Sequence, residues 1–431
     1  MIIKKLKQSL LFKNTFIYTF LQLINKGIPF FLLPILTHYL STDDFGMIAA
    51  YNTFLGGVAI FIGLSMSGAV GVNYFQMEQG ELRNYIGNVF HILFVSTVIM
   101  IVIVSLFNGL LAQHLEIPLE WMYIAVIVAL MQNITAINLT LWRSQQRAKP
   151  YALYEIAETV FNITISLLLV IALKYGWEGR TSGTATAAII FGILSLFIIY
   201  KRGYASVNYS VKYMKDALKF GVPLLPHHLA LWMRTGVDII LITSLVGVAE
   251  TGIYSVGYQL GAVVGIIAMA FNNAYSPYLF EKLKDMSSDD KAKIVKFTYL
   301  YFVGIIFLAL SLSTFFSMII PYFLSEAFQE AGIYIFWISL AYAFQGMYLM
   351  VGLYIFYVKK THLLSSVTIS TSIIHVLLSY VLINIFGAIG AAYATVSSFF
   401  LTFILVWYLG SKVYKMPWFG QSYIDINKNG D

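Results

Sequence analysis

Lys26 and Arg234 are positive charges set inside long apolar runs. At the centre of a lipid-facing helix either group costs about 2.5–3.5 kcal/mol on insertion scales, so such residues usually face a bundle interior or a wet cavity. Two cations in one cavity favour an anion, and phosphate is the biological anion that Arg grips in two-pronged fashion and Lys meets as a point charge. Arg234 has a second reading, because Asp238 follows four residues on and can neutralise it from the same helix face. Lys26 has no acidic residue at helical spacing on its own span. Glu155 and Glu158, three apart, form a carboxylate pair able to take up a coupling proton or cation, or to bond with Arg147 and Lys149 near the headgroups. His227 and His228 follow Pro223 and Pro226, and one of them can titrate, contact a sugar or hold the helix start by hydrogen bonding. Adjacent residues diverge on a helix, so the two histidines are not a metal pair.

The elements that must position these groups are membrane helices. Of the 431 residues 59% are hydrophobic and only 11% charged, far from the balance of a soluble domain. Apolar stretches fall at about 14–39, 46–72, 87–110, 119–141, 151–173, 182–200, 217–246, 251–277, 296–324, 332–358, 362–385 and 388–411. Each is long enough to span the roughly 30 Å hydrocarbon layer, and runs of this length satisfy their backbone in lipid only as helices. The expected fold is all-α and integral to the membrane, with about twelve transmembrane helices. Prolines 29, 34, 223 and 226 in the first and seventh spans permit bends or fixed kinks. Cys is absent, which removes disulfides, thiol nucleophiles and cysteine metal sites.

Of the 27 Lys and Arg, 23 fall in one alternate set of polar breaks, and only Lys174 and Arg180 in the other. The positive-inside rule then puts both termini in the cytoplasm and argues that each break is correctly placed. The basic residues do not form one solvated face, so the net charge of +7 is read as topology and nucleic acid is not expected as a partner. An internal repeat is also visible. Asp44-Phe45-Gly46 matches Glu250-Thr251-Gly252 at an offset of 206, and Asn162 and Ser166 echo His375 and Ser379. The reading is two parallel six-helix bundles, 1–210 and 211–431, around a central cavity. Lys26 and Arg234 then approach it from equivalent helices, as alternating-access transporters built from repeats hold their substrate.

The segments VPLLPHHLALWMRTGVDIILI (222–242), GIYSVGYQLG (252–261), NNAYSPYLFEKL (272–283) and YVKKT (357–361) carry a resemblance to the Wzx-type polysaccharide and O-antigen flippases of the multidrug/oligosaccharidyl-lipid/polysaccharide exporter superfamily. The family pattern often places Arg directly after Asp, whereas here Asp238 is followed by Ile239 and the arginine comes earlier. The resemblance implies a transporter without enzymatic activity or resident cofactor. It implies movement of an undecaprenyl-pyrophosphate-linked oligosaccharide, an O-antigen, capsule or exopolysaccharide precursor, from the cytoplasmic to the periplasmic leaflet of the bacterial inner membrane. Coupling to a proton or sodium gradient, and polymerase and chain-length proteins as pathway partners, belong to the same expectation. ATP hydrolysis does not, and no GxxxxGK[ST] loop is present. Two alternatives stand beside it: a multidrug/cation antiporter of the same superfamily, which Asp238 suits, and an intramembrane polysaccharide-processing enzyme.

Overall fold

The computed structural model describes residues 27–28, 30–284 and 286–418. Among them the chain is helical, without a strand. In order the helices are α1 (Phe30–Tyr39), α2 (Thr42–Gly63), α3 (Met66–Asn73), α4 (Gln79–Leu115), α5 (Leu119–Ser144), α6 (Ala148–Leu167), α7 (Gly176–Lys201), α8 (Val211–Gly221), α9 (Leu225–Leu245), α10 (Val248–Gly261), α11 (Val263–Lys282), α12 (Ser288–Phe323), α13 (Gly332–Tyr357), α14 (Thr361–Phe386) and α15 (Ile389–Val413). Eleven stretches among the described residues are long and apolar enough to cross a membrane. They correspond to the last eleven spans expected from the sequence; the first, 14–39, lies mostly outside the described residues, and α1 is its end. Large apolar side chains on several helices are exposed, among them Phe94, Leu106, Phe197, Leu300, Val303 and Phe307. Lipid, not water, is the medium in which such surfaces are stable.

The helices run past the apolar stretches that announce them. α4 begins at Gln79, one polar turn and more before residue 87, and α7 begins at Gly176 instead of residue 182. The second correction moves Arg180 out of an outer break and into a helix. The expected span 46–72 is broken, because Leu64 and Ser65 both take the left-handed conformation (φ 44° and 55°) and separate α2 from α3. Pro223 and Pro226 sit at the N-terminal positions of a short 3-10 turn and of α9, so the tighter turn falls at the prolines inside one apolar helical stretch, Val211–Leu245.

Two compact units make up the chain: Met1–Val256 with Leu324–Phe328, and Gly257–Phe323 with Gln329–Asp431. This division follows packing and is separate from the repeat boundary expected near residue 210. The core of the first holds Tyr51, Ile62, Met66, Ile86, Leu93, Met122 and Val126, all with almost no exposed surface. That of the second is built on Val264, Ala268, Ile305, Ala309, Met347, Val351 and Val406.

Within the first unit the repeated motif is a close contact. Ser41 and Asp44 form a capping box at the start of α2, and Asp44 Oδ1 also accepts the Trp177 N–H at 2.8 Å, which ties α7 to α2. A Cβ on Gly46 would lie 2.0 Å from the Val248 carbonyl oxygen, and one on Gly252 would lie 1.9 Å from that of Thr42. Thr42 and Val248, like Gly46 and Gly252, are 206 positions apart. The contact is therefore reciprocal under the repeat, each half offering a glycine to the other's backbone.

A second tie fixes the approach to α8. Asn88, fully buried on α4, donates to the carbonyls of Asn84 (2.8 Å) and Asn208 (2.9 Å) and accepts the Ser210 N–H (2.7 Å). Asn88→Leu removes the two hydrogen bonds that tie the part-buried 208–210 segment to α4, at about 0.5–1.5 kcal/mol for each. We expect a clear drop in thermal midpoint in detergent; an unchanged midpoint would mean that this segment is held by other contacts.

Candidate functional site

The α9 residues are set in place by packing on α2. Trp232 donates its indole N–H to the Thr53 carbonyl at 3.0 Å, and its ring lies over Gly57, where an added Cβ would meet it at 3.1 Å. With Trp232 pinned, Arg234 and Asp238 occupy adjacent turns of one face. Both are buried: Arg234 keeps 7% of its surface and Asp238 none. Asp238 Oδ2 accepts a hydrogen bond from the Tyr254 hydroxyl of α10 at 3.2 Å. One turn and more beyond, Thr243 and Thr251 hydroxyls meet at 3.0 Å, closing the α9–α10 corner. His227 lies on the Arg234 side of the helix, seven residues earlier, or about 10 Å along the axis. It is half-buried, and its Nδ1 is buried without a hydrogen-bond partner. His228 is exposed, its ring 5.8 Å from that of His227. Lys26 lies outside the described residues.

Glu155 and Glu158 belong to a different place. They are half-buried on α6, which packs on α5 and α7, whereas α9 packs on α2 and α4. Glu155 accepts from the Tyr151 hydroxyl at 3.0 Å, one turn earlier, so that carboxylate is held by its own helix. Glu158, Asn162 and Ser166 follow at four-residue steps, a polar stripe along α6. At its far end stands Arg180 of α7, which sequence reasoning missed. One guanidinium nitrogen lies within hydrogen-bond distance of Asn162 Oδ1 (2.9 Å), Ser166 Oγ (2.8 Å) and Thr184 Oγ1 (2.9 Å), all neutral acceptors that share its two N–H groups. The signal was present in the repeat echo at Asn162 and Ser166, but it read only as homology between the halves.

The echo has a physical counterpart in the second unit. His375 of α14 is fully buried, its Nδ1 3.2 Å from Ser398 Oγ of α15 and its Nε2 3.5 Å from Ser379 Oγ. Thr402 donates to Thr371 at 3.0 Å alongside. At the repeat-equivalent positions Ser166 donates to Asn162 at 3.1 Å, so each half keeps an i, i+4 polar pair in the same place. Among the described residues no three His, Asp or Glu converge as a metal site.

Buried charges on helices of membrane-spanning length, such as Arg234 and Asp238, can bind and release a charged ligand without covalent change. The fold of this chain has counterparts among solved structures. It is similar to lipid II flippase MurJ in an inward closed conformation, with a TM-score of 0.71 at 17% identity, covering 92% of this chain and 86% of that one. It is also similar to an inward-facing multidrug resistance MATE family transporter of the MOP superfamily, with a TM-score of 0.65 at 13% identity, covering 91% of this chain and 94% of that one. In sequence it is 29% identical over 376 residues to an uncharacterised membrane protein of Haemophilus influenzae, covering 85% of this chain and 88% of the relative. Residues 11–283 match the polysaccharide biosynthesis protein family, and the chain belongs to that family.

Proposed function

We propose that this protein is a flippase that carries an undecaprenyl-pyrophosphate-linked oligosaccharide from the cytoplasmic to the periplasmic leaflet of a bacterial inner membrane, with both termini in the cytoplasm. The observation that carries the reading is Arg234, a buried cation on a membrane-spanning helix in a chain of the polysaccharide biosynthesis family. Arg234, with Lys26 on the repeat-equivalent helix, holds the pyrophosphate while the sugar rides in an aqueous cavity between two six-helix halves. The prenyl tail stays in the bilayer. The protein makes and breaks no covalent bond in this scheme, and rocking of the halves exposes the ligand to each side in turn. A proton or sodium gradient supplies the direction. Polymerase and chain-length proteins take the product on the outer side, whether it becomes O-antigen, capsule or exopolysaccharide.

A cation antiporter is favoured by one specific observation, the fully buried carboxylate of Asp238. Deleting the gene from its own host separates the two. The flippase reading expects undecaprenyl-pyrophosphate-linked oligosaccharide to accumulate inside and surface polysaccharide to vanish. Normal polysaccharide together with new sensitivity to cationic dyes would establish the antiporter instead.

A further inference from the structure

The lysines of α8 line a hollow that the transport reading does not use. α8 is amphipathic: Tyr213, Met214, Ala217, Leu218 and Phe220 pack into the core of the first unit, while Lys212, Lys215 and Lys219 share the opposite, exposed face at i, i+3 and i+7. Its C-terminus is fixed, since a Cβ on Gly221 would lie 1.9 Å from the Leu64 carbonyl oxygen, and Tyr213 packs edge-on against the buried Tyr85 of α4 (6.1 Å, 79°). Between α8 and the start of α4 is a cavity of about 320 Å³ lined by the three lysines, Asp216, Glu81, Met77 and Tyr213. Among the described residues, no ammonium of the three pairs with either carboxylate. Three cations and two anions thus line one space without a direct ion pair among them, on a helix whose opposite face is packed.

The hollow opens where two spans, α4 and the stretch containing α9, begin. Spans that enter the hydrocarbon at this end put the hollow beside the headgroup layer. On the orientation proposed above, this is the inner leaflet. A ligand complementary to the lining carries a phosphate for the lysines and, within the same small group, a cation with N–H donors for the carboxylates. Charge-assisted hydrogen bonds to both signs discriminate far better than net charge alone. A purely anionic headgroup leaves Glu81 and Asp216 facing like charge, and a trimethylated one offers them no donor.

We propose that this hollow is a binding site for a phosphatidylethanolamine-type lipid of the inner leaflet, its phosphate on Lys212, Lys215 and Lys219 and its primary ammonium on Glu81 and Asp216. The test is native mass spectrometry of the delipidated full-length protein, titrated with dioleoyl phosphatidylethanolamine, phosphatidylcholine and phosphatidylglycerol. The ethanolamine lipid is expected to bind at least tenfold more tightly than either of the others. The triple variant Lys212→Ala, Lys215→Ala, Lys219→Ala should lose that preference. The double variant Glu81→Gln, Asp216→Asn should shift it to phosphatidylglycerol, as judged against the gel-filtration profile of a folded protein. Equal binding of the choline lipid, or tighter binding of phosphatidylglycerol by the unaltered chain, would each overturn the proposal. None of these measurements needs the transported substrate, so a failure here leaves the flippase reading standing. Failure of that reading would leave this result intact.

Discussion

Arg234→Ala is expected to lower flipping of the lipid-linked oligosaccharide on the order of 100-fold, about 2.7 kcal/mol in barrier terms, while the protein still inserts. Arg234 is nearly sealed from solvent and carried on a helix long enough to cross the bilayer. Keeping a guanidinium there is costly, and Asp238 one turn away offers a sufficient reason for it to be charged. The double variant Arg234→Ala, Asp238→Ala decides between the two roles. If Arg234 only neutralises Asp238, removing both restores transport, since no buried charge is left unpaired. If Arg234 holds the substrate's pyrophosphate, the double variant stays inactive. Arg234→Lys should be intermediate, keeping the charge but losing the two-pronged grip. Radiolabelled glycolipid exposed on the outer leaflet of cells reads all of these; activity of the double variant near the unaltered level would reassign Arg234 as structural.

The second large effect concerns the reciprocal contact of α2 and α10. Gly46→Val or Gly252→Val puts a branched side chain where even a methyl would lie about 2 Å from a carbonyl oxygen of the partner helix. The start of α2 cannot retreat freely, because Asp44 holds it both to its cap and to the N–H of Trp177. Overpacking in a tight core commonly costs about 1–3 kcal/mol, and a clash with backbone belongs at or above the top of that range. Little monodisperse protein should survive extraction in detergent. Gly109→Ala and Gly304→Ala serve as controls, as nothing lies within 4 Å of their added Cβ, and they should extract normally. Equal yields from Gly46→Val and Gly304→Ala would show that the two helix starts do not meet as described.

Much of this architecture was legible in the residues. Apolar runs announced every described span because lipid imposes one demand, backbone hydrogen bonds closed within the segment, and only length and hydropathy are needed to see it. Helix ends were less legible. The polar turn Gln79–Tyr85 and the stretch Gly176–Arg180 are helical although their composition resembles a loop, since a helix emerging from lipid continues wherever capping and packing allow. The break at Leu64 and Ser65 follows Gly63 inside an otherwise apolar run, and two non-glycine residues in the left-handed region are not what that single glycine announces. In the candidate site, charge amid apolar sequence singled out Arg234 and Asp238, but their near-complete burial is a tertiary fact that it did not reveal. The separation of Glu155 and Glu158 from α9 is a tertiary fact that spacing cannot encode. Arg180 and His375 were passed over for a different reason: a charged or titratable group ringed by hydroxyls on a neighbouring helix is recognisable only when the two helices are seen together.

The most direct measurement is reconstitution of the purified protein in proteoliposomes with a fluorescent undecaprenyl-pyrophosphate-linked oligosaccharide. A membrane-impermeant quencher added outside then reports which leaflet the glycolipid occupies. With the protein present, the pool protected in the inner leaflet should drain outward, faster under an imposed proton or sodium gradient, and Arg234→Ala vesicles should match protein-free ones. A protected pool that stays constant in vesicles holding correctly folded protein, under either gradient, would contradict the account.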